Sequence, residues 1–154
     1  MTVSKLVMDS PIGQLELLAD DESLVSVGFG GEGQDPAVTD HRVLLEAKHQ
    51  LQEYFNGERK AFDLPIKIEG TQFQQEVWKE LCEIPYGTTC SYGEIAARIN
   101  RPKAVRAIGQ ANKANKFPVI IPCHRVIGKD KTMTGYAGKQ VDKKEILLSL
   151  EQGL

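Results

Sequence analysis

The chain has 154 residues and a mass of 17.1 kDa, with 41% hydrophobic and 26% charged side chains. That size suits one globular domain or two small ones, and it excludes a disordered chain, a collagen-like repeat or a large multidomain assembly. The net charge of −2 hides a split, because residues 1–97 hold 7 bases and 17 acids whereas residues 98–154 hold 12 bases and 4 acids.

The opening MTVSKLVMDSPIGQL lacks the apolar run of a signal peptide, and no stretch approaches the roughly 18 apolar residues that cross a bilayer. A soluble, cytoplasmic protein with no membrane contact is expected. Alternation and β-branched residues predict strands over 5–8, 14–19 and 24–29, with the turn Ser10-Pro11-Ile12-Gly13 between the first two. Together they form a small antiparallel meander. The glycine-rich stretch 28–33 has no Lys-Ser/Thr and no close helix start, so it reads as a loop and not a phosphate cradle. Apolar residues at 43, 44, 47, 51, 54 and 55 predict an amphipathic helix over 41–55, stopped by Asn56-Gly57. His41 and His49 lie too far apart on it for a paired metal site and are expected on the surface.

Residues 62–70 read as an extended connector. The expected division is therefore a supporting N-terminal α/β domain over 1–69 and a second domain over 70–154. Thr71 with Gln74 and Ser91 with Glu94 are capping boxes that open two helices, the first ending at Ile84-Pro85-Tyr86-Gly87 and the second near Ile99. Asn100-Arg101-Pro102 breaks the second, and a third runs from about 103 to 114, a helix-turn-helix pattern. On that third helix Ala104, Ala107, Ile108 and Ala111 form a small-residue face, while Arg106, Gln110 and Lys113 recur at i, i+4 and i+7 on the other side. Such a polar face suits a DNA groove, and equally an ordinary solvated surface. Between Arg98 and Lys131 a single acid, Asp130, stands among nine bases, which favours a surface that meets phosphates.

Cys82, Cys90 and Cys123 are three in number with no CxxC pair, so neither a disulfide framework nor a thiolate zinc cluster is indicated. Cys123 stands between Pro122 and His124, directly after the apolar run from Phe117 to Ile121. His124, Arg125 and the basic surroundings would each favour a thiolate, the nucleophilic form of cysteine. A buried, inert cysteine is the alternative.

Several blocks carry a resemblance in order and spacing: Ile121-Pro122-Cys123-His124-Arg125-Val126, Ile84-Pro85-Tyr86-Gly87, Ser91-Tyr92-Gly93-Glu94-Ile95-Ala96, Ala104-Val105-Arg106-Ala107-Ile108-Gly109, and residues 112–118 and 144–151. Together, over about residues 73–151, they resemble the O6-alkylguanine-DNA alkyltransferases, a family of direct-reversal DNA repair proteins. The resemblance implies an α+β protein: a small N-terminal α/β domain with an antiparallel sheet, then a mainly helical, winged helix-turn-helix-like domain that binds DNA. It implies that Cys123 accepts the alkyl group, that His124 draws off its proton through a water, and that Glu151 orients His124. Reaching Glu151 takes a one-residue insertion within 138–144 relative to some members.

Arg106 would replace a base flipped out of the duplex, Tyr92 would rotate the phosphate beside the target, and Gln110 and Lys113 would contact DNA. Asn115 would hold the loop after the recognition helix, and Pro118, Val126, Tyr136 and Ala137 would line the guanine pocket. At Ala137 only the backbone amide can reach guanine O6, where a side-chain hydroxyl often stands. The implied partner is double-stranded DNA containing O6-alkylguanine, met by a monomer that uses no cofactor and no metal. An S-alkylcysteine has no electrophilic carbonyl for water to attack, so each molecule would act once. The competing readings are a winged-helix regulator with a buried Cys123 and a cysteine hydrolase using Cys123 and His124. A branch of the family with tryptophan at the acceptor position only binds lesions, and Cys123 argues against that branch.

Overall fold

A computed structural model describes residues 3–30, 39–128 and 141–153. Residues 31–33 of the glycine-rich stretch, together with Tyr136 and Ala137, lie outside the described residues. The chain divides into two compact units, Met1–Ile68 and Glu69–Leu154.

In the first unit β1 (Ser4–Met8), β2 (Leu15–Ala19) and β3 (Leu24–Phe29) form an antiparallel sheet in sequential order. Leu15, Leu17 and Ala19 are buried while Glu16 and Leu18 are half-buried, so the two-residue period sends one face of β2 into the core. Each fully buried leucine there contributes about 1.5–3 kcal/mol. Helix α1 (Arg42–Phe55) packs Leu44, Ala47, Leu51 and Tyr54 toward this sheet. His41 is not the simple surface residue expected: it caps α1, its Nδ1 accepting from the Val43 amide and its Nε2 lying 2.7 Å from the Asp20 carbonyl. His49 is exposed, as expected. The expected extended connector is partly paired with the sheet, since Leu24 N–H donates to Pro65 O and Lys67 N–H to Leu24 O beside β3.

The second unit begins with α2 (Gln72–Cys82), whose Thr71–Gln74 capping box is complete. A two-residue strand β4 (Cys90–Ser91) leads into α3 (Tyr92–Arg98), which has the complete Ser91–Glu94 box. Asn100, with φ of 61°, turns the chain out of α3 in the left-handed conformation that short polar side chains tolerate. Helix α4 (Val105–Lys113) follows, one to two residues shorter at each end than its periodicity predicts. Helices α3 and α4 pack against each other and against α2, and the Trp78 Nε1–H donates to Ala111 O at 2.9 Å.

Helix α4 buries Ile108, Ala111 and Asn112, whereas Ala107 is exposed and does not join the packing face expected of it. Ala107 and Asn112 flank the Ile108–Ala111 ridge on opposite sides of the helix, and the packed side is that of Asn112. After α4 a loop leads into a single 3₁₀ turn (Cys123–Arg125) and β5 (Val126–Ile127), and α5 (Val141–Glu151) follows. The architecture is α+β with an N-terminal antiparallel sheet followed by a helical unit, as expected. Among the described residues no helix is long and apolar enough to cross a membrane.

Candidate active site

The 3₁₀ turn carries Cys123, His124 and Arg125 on three successive buried positions. So short a turn closes few hydrogen bonds of its own, and Arg125 N–H to Pro122 O is one of them. Side chains from other elements hold its flanks. Asn115 spans the preceding loop, its Oδ1 accepting from Phe117 N–H at 2.8 Å and its Nδ2 donating to Ile121 O at 2.9 Å. Within that loop Val119 sits at φ of 76°, a conformation β-branched residues rarely adopt. Asn112 Nδ2 donates to Cys123 O, and Lys144 Nζ donates to Val126 O. Strand β5 pairs in parallel with β4, Cys90 opposite Val126 and Ser91 opposite Ile127, so the start of α3 is joined to the strand that follows Cys123.

Glu151 sits at the far end of α5 and is the hub of the site. His124 Nε2 is 2.6 Å from Glu151 Oε2. Arg125 donates Nε to Oε1 at 2.8 Å and Nη2 to Oε2 at 3.0 Å, a bidentate pair. Gly87 N–H adds a third donor, at 3.2 Å from Oε1. Gly87 has φ of 81°, and a Cβ there would come within 3.3 Å of the Glu151 carbonyl oxygen. The turn before β4 therefore needs glycine both for its conformation and for the approach to α5. The remaining guanidinium nitrogen of Arg125 donates to Ile84 O at 2.8 Å, and the group stands 5.6 Å over the Tyr86 ring.

A carboxylate receiving this many donors is ionised, so His124 presents Nε2–H to it and keeps Nδ1 as its basic nitrogen. Burial holds His124 below its ordinary value, against the opposing pull of Glu151, and the ring is neutral near pH 7. Burial likewise pushes the Cys123 thiol up to about 11, although the Asn115 amide, the Lys144 charge and a backbone hydrogen bond at Cys123 itself all pull against it. The expectation that His124 and Arg125 sustain a thiolate is therefore corrected. Arg125 is committed to Glu151, His124 is uncharged, and desolvation of a cysteine only 1% exposed outweighs the rest. At rest Cys123 is a neutral thiol, which would have to lose its proton before it could act as a nucleophile.

The structure brings Cys123, His124, Glu151 and Asn115 together, and it places Pro118 and Val126 in the buried surroundings of the same segment. Arg106, Gln110 and Lys113 are exposed on α4, and Tyr92 is half-buried at the start of α3. Three residues with a part in the site were given no role by the sequence reading, although they fall in the blocks that carry the resemblance: Asn112, Gly87 and Lys144. Lys144 is wholly buried, burial lowers its ammonium to about 8, and a thiolate at Cys123 pulls the other way. One signal for it exists in the sequence. Lys144, Leu147, Leu148 and Glu151 fall at i, i+3, i+4 and i+7, the spacing of a core-facing stripe in which a lysine is out of place.

Residues 72–153 match the family described as 6-O-methylguanine DNA methyltransferase, DNA binding domain, and residues 3–68 match its ribonuclease-like domain. A relative in Bacillus subtilis (strain 168), the constitutive methylated-DNA–protein-cysteine methyltransferase, is 46% identical, the match covering 94% of this chain and 92% of that protein. The methylated-DNA–protein-cysteine methyltransferase of Methanosarcina acetivorans is 48% identical, with 94% and 96% covered. Among solved structures, the O6-methylguanine methyltransferase of Mycobacterium tuberculosis superposes with a TM-score of 0.87 at 42% identity, over 99% of this chain and 94% of that one. The same organism's protein in complex with DNA gives 0.84 at 43% identity, over 96% and 91%.

Proposed function

The chain belongs to the 6-O-methylguanine DNA methyltransferase family, and from that premise we propose that Cys123 is the atom that takes the alkyl group. The protein binds DNA and repairs it by transferring an alkyl group from guanine O6 to one of its own cysteines. The observation that supports Cys123 is the buried relay beside it: His124 next in the chain, bonded through Nε2 to a Glu151 that Arg125 and Gly87 hold in place.

The chemistry follows from the resting state of the site. His124 Nδ1 draws the thiol proton through a water, the thiolate sulfur attacks the alkyl carbon, and the carbon–O6 bond breaks with its electron pair on guanine. The imidazolium formed on His124 is balanced by Glu151, which Arg125 keeps ionised. Asn115 and Lys144 stabilise the sulfur while it is charged. The guanine anion takes up the proton that the imidazolium and water release and is left as unmodified guanine, and the cysteine becomes a thioether with no carbonyl to hydrolyse. Each molecule therefore acts once, and the thiol is the only reagent consumed.

A base within a duplex lies beyond the reach of a buried thiol, so the nucleotide is flipped out at a cost of about a few kcal/mol. Arg106, exposed on α4, fills the gap in the stack, while Gln110 and Lys113 lie along the backbone and Tyr92 turns the neighbouring phosphate. The working divisions are an N-terminal supporting domain over 1–69 and a DNA-binding, alkyl-accepting domain over 70–154. The protein acts as a monomer in the cytoplasm.

The test is the mass of the protein after exposure to a duplex carrying O6-methylguanine. One equivalent should add about 14 Da, confined to the Cys123 peptide. Cys123→Ser should take up nothing yet still bind the duplex. Repeated turnover, or an adduct on another residue, overturns the assignment.

A further inference from the structure

Asn112 shows no exposure at all, and it is the last buried residue of α4. Its Nδ2 donates to the carbonyl of Cys123 at 3.3 Å, and its Oδ1 meets no donor among the described residues. An orphaned buried acceptor is destabilising. If packing were the only demand here, an apolar side chain of similar volume would serve the core better. The amide is explained by what its nitrogen holds.

Three side chains fix α4 and the loop after it, at different places. Trp78 bonds the Ala111 carbonyl and ties α4 to α2. Asn115 bonds Phe117 and Ile121 within the loop. Asn112 bonds the main chain of the nucleophile itself, from the helix whose opposite face carries Arg106. Arg106 lies six residues earlier, about 9 Å along the axis at the rise of an α-helix. The residue that displaces the base and the residue that meets the alkyl carbon thus share one rigid element, provided that the second is pinned to it.

We propose that Asn112 is a positioning residue for alkyl transfer, fixing the register between the DNA-facing helix and the backbone of Cys123. This rests on the reading of Arg106 as the base-displacing residue and Cys123 as the acceptor. A flipped base arrives at a place set by α4, and the sulfur must stand there within a fraction of an ångström, since an error of about 1 Å costs on the order of 100-fold in rate. A free nucleobase is not tied to α4 and can follow a displaced sulfur.

The experiment compares single-turnover alkyl transfer by the full chain and by Asn112→Leu. With an O6-methylguanine duplex the maximal rate should fall on the order of 10- to 100-fold, with duplex affinity and melting temperature no lower than in the parent. With free O6-benzylguanine the loss should be several-fold smaller. A parent-like rate on the duplex overturns the proposal, as does an equal loss on both substrates. If Asn112→Leu fails to fold, Asn112→Ser is read in the same two assays. In the parent protein, the Asn112 side-chain amide protons should exchange slowly and shift when Cys123 is methylated, and rapid exchange with no shift overturns the proposal. An unreactive parent removes the acceptor reading and this proposal together. A reactive parent with unaffected Asn112 variants removes this proposal alone.

Discussion

His124 Nε2 lies 2.6 Å from Glu151 Oε2, and both side chains are closed to solvent. The two residues are far apart in sequence, and the bond exists only because α5 returns to the turn that carries Cys123. It sets the histidine tautomer, and Arg125 and Gly87 set the carboxylate.

Glu151→Gln should therefore damage chemistry and stability together. A neutral amide no longer demands Nε2–H of the ring and cannot balance an imidazolium, so the single-turnover rate should drop on the order of 100-fold or more. Leaving Arg125 buried without its anion costs about 3–5 kcal/mol. Rapid-quench transfer and urea denaturation measure the two effects separately. A variant with the parent's rate would remove Glu151 from the mechanism.

Acid should weaken the fold through His124. Burial lowers its affinity for a proton in the native state, while the unfolded chain titrates near the ordinary 6.5. Below that value the unfolded state binds more protons than the native state, so stability falls as the pH falls, with a limiting slope of about 1.4 kcal/mol per pH unit for one group. Melting temperatures between pH 8 and pH 5 should decline below 6.5, and the decline should be shallower in His124→Gln. An identical slope in the two proteins would exclude His124 as its source.

Lys144→Met should slow the reaction by making the thiol harder to ionise. The ammonium is one of the few influences that hold Cys123 down to about 11 against its burial. Its loss should move the rise of rate with pH to higher values, for the duplex and for O6-benzylguanine alike, because both need the same sulfur. Lys144→Arg, which keeps the charge, should restore part of the profile. A profile that is merely lower in amplitude, with its inflection unmoved, would assign Lys144 a packing role.

Arg106→Ala should separate flipping from chemistry. Only the duplex requires a base to be displaced, so transfer from DNA should fall far more than transfer from O6-benzylguanine. Lys113→Ala, by contrast, should weaken binding across sequences and reduce the salt dependence of affinity by about one counterion. Equal losses of Arg106→Ala on both substrates would argue against its role as the inserted residue.

Much of this was legible in the chain itself. Cys123 and His124 are adjacent in an apolar segment, and the capping boxes at Thr71–Gln74 and Ser91–Glu94 are local hydrogen-bond patterns. The strands follow from a period of two and α1 from a period of 3.6. Each of these is decided over a few residues, which is the range a linear sequence reports. Ala107 marks the edge of that range, because periodicity defines a helical stripe but not which flank of it meets a neighbour.

The ionisation of the site was decided by tertiary structure. Counting charges along the chain predicts a thiolate, whereas Cys123 is a neutral thiol. Desolvation depends on what surrounds the sulfur in three dimensions. The nearest cation in sequence, Arg125, is turned onto Glu151 from α5, and the effective one, Lys144, lies on that same distant helix. Chain order by itself marked Cys123 as the candidate acceptor, and long-range packing determined its ionisation, because burial and pairing are properties of neighbours that chain order does not record.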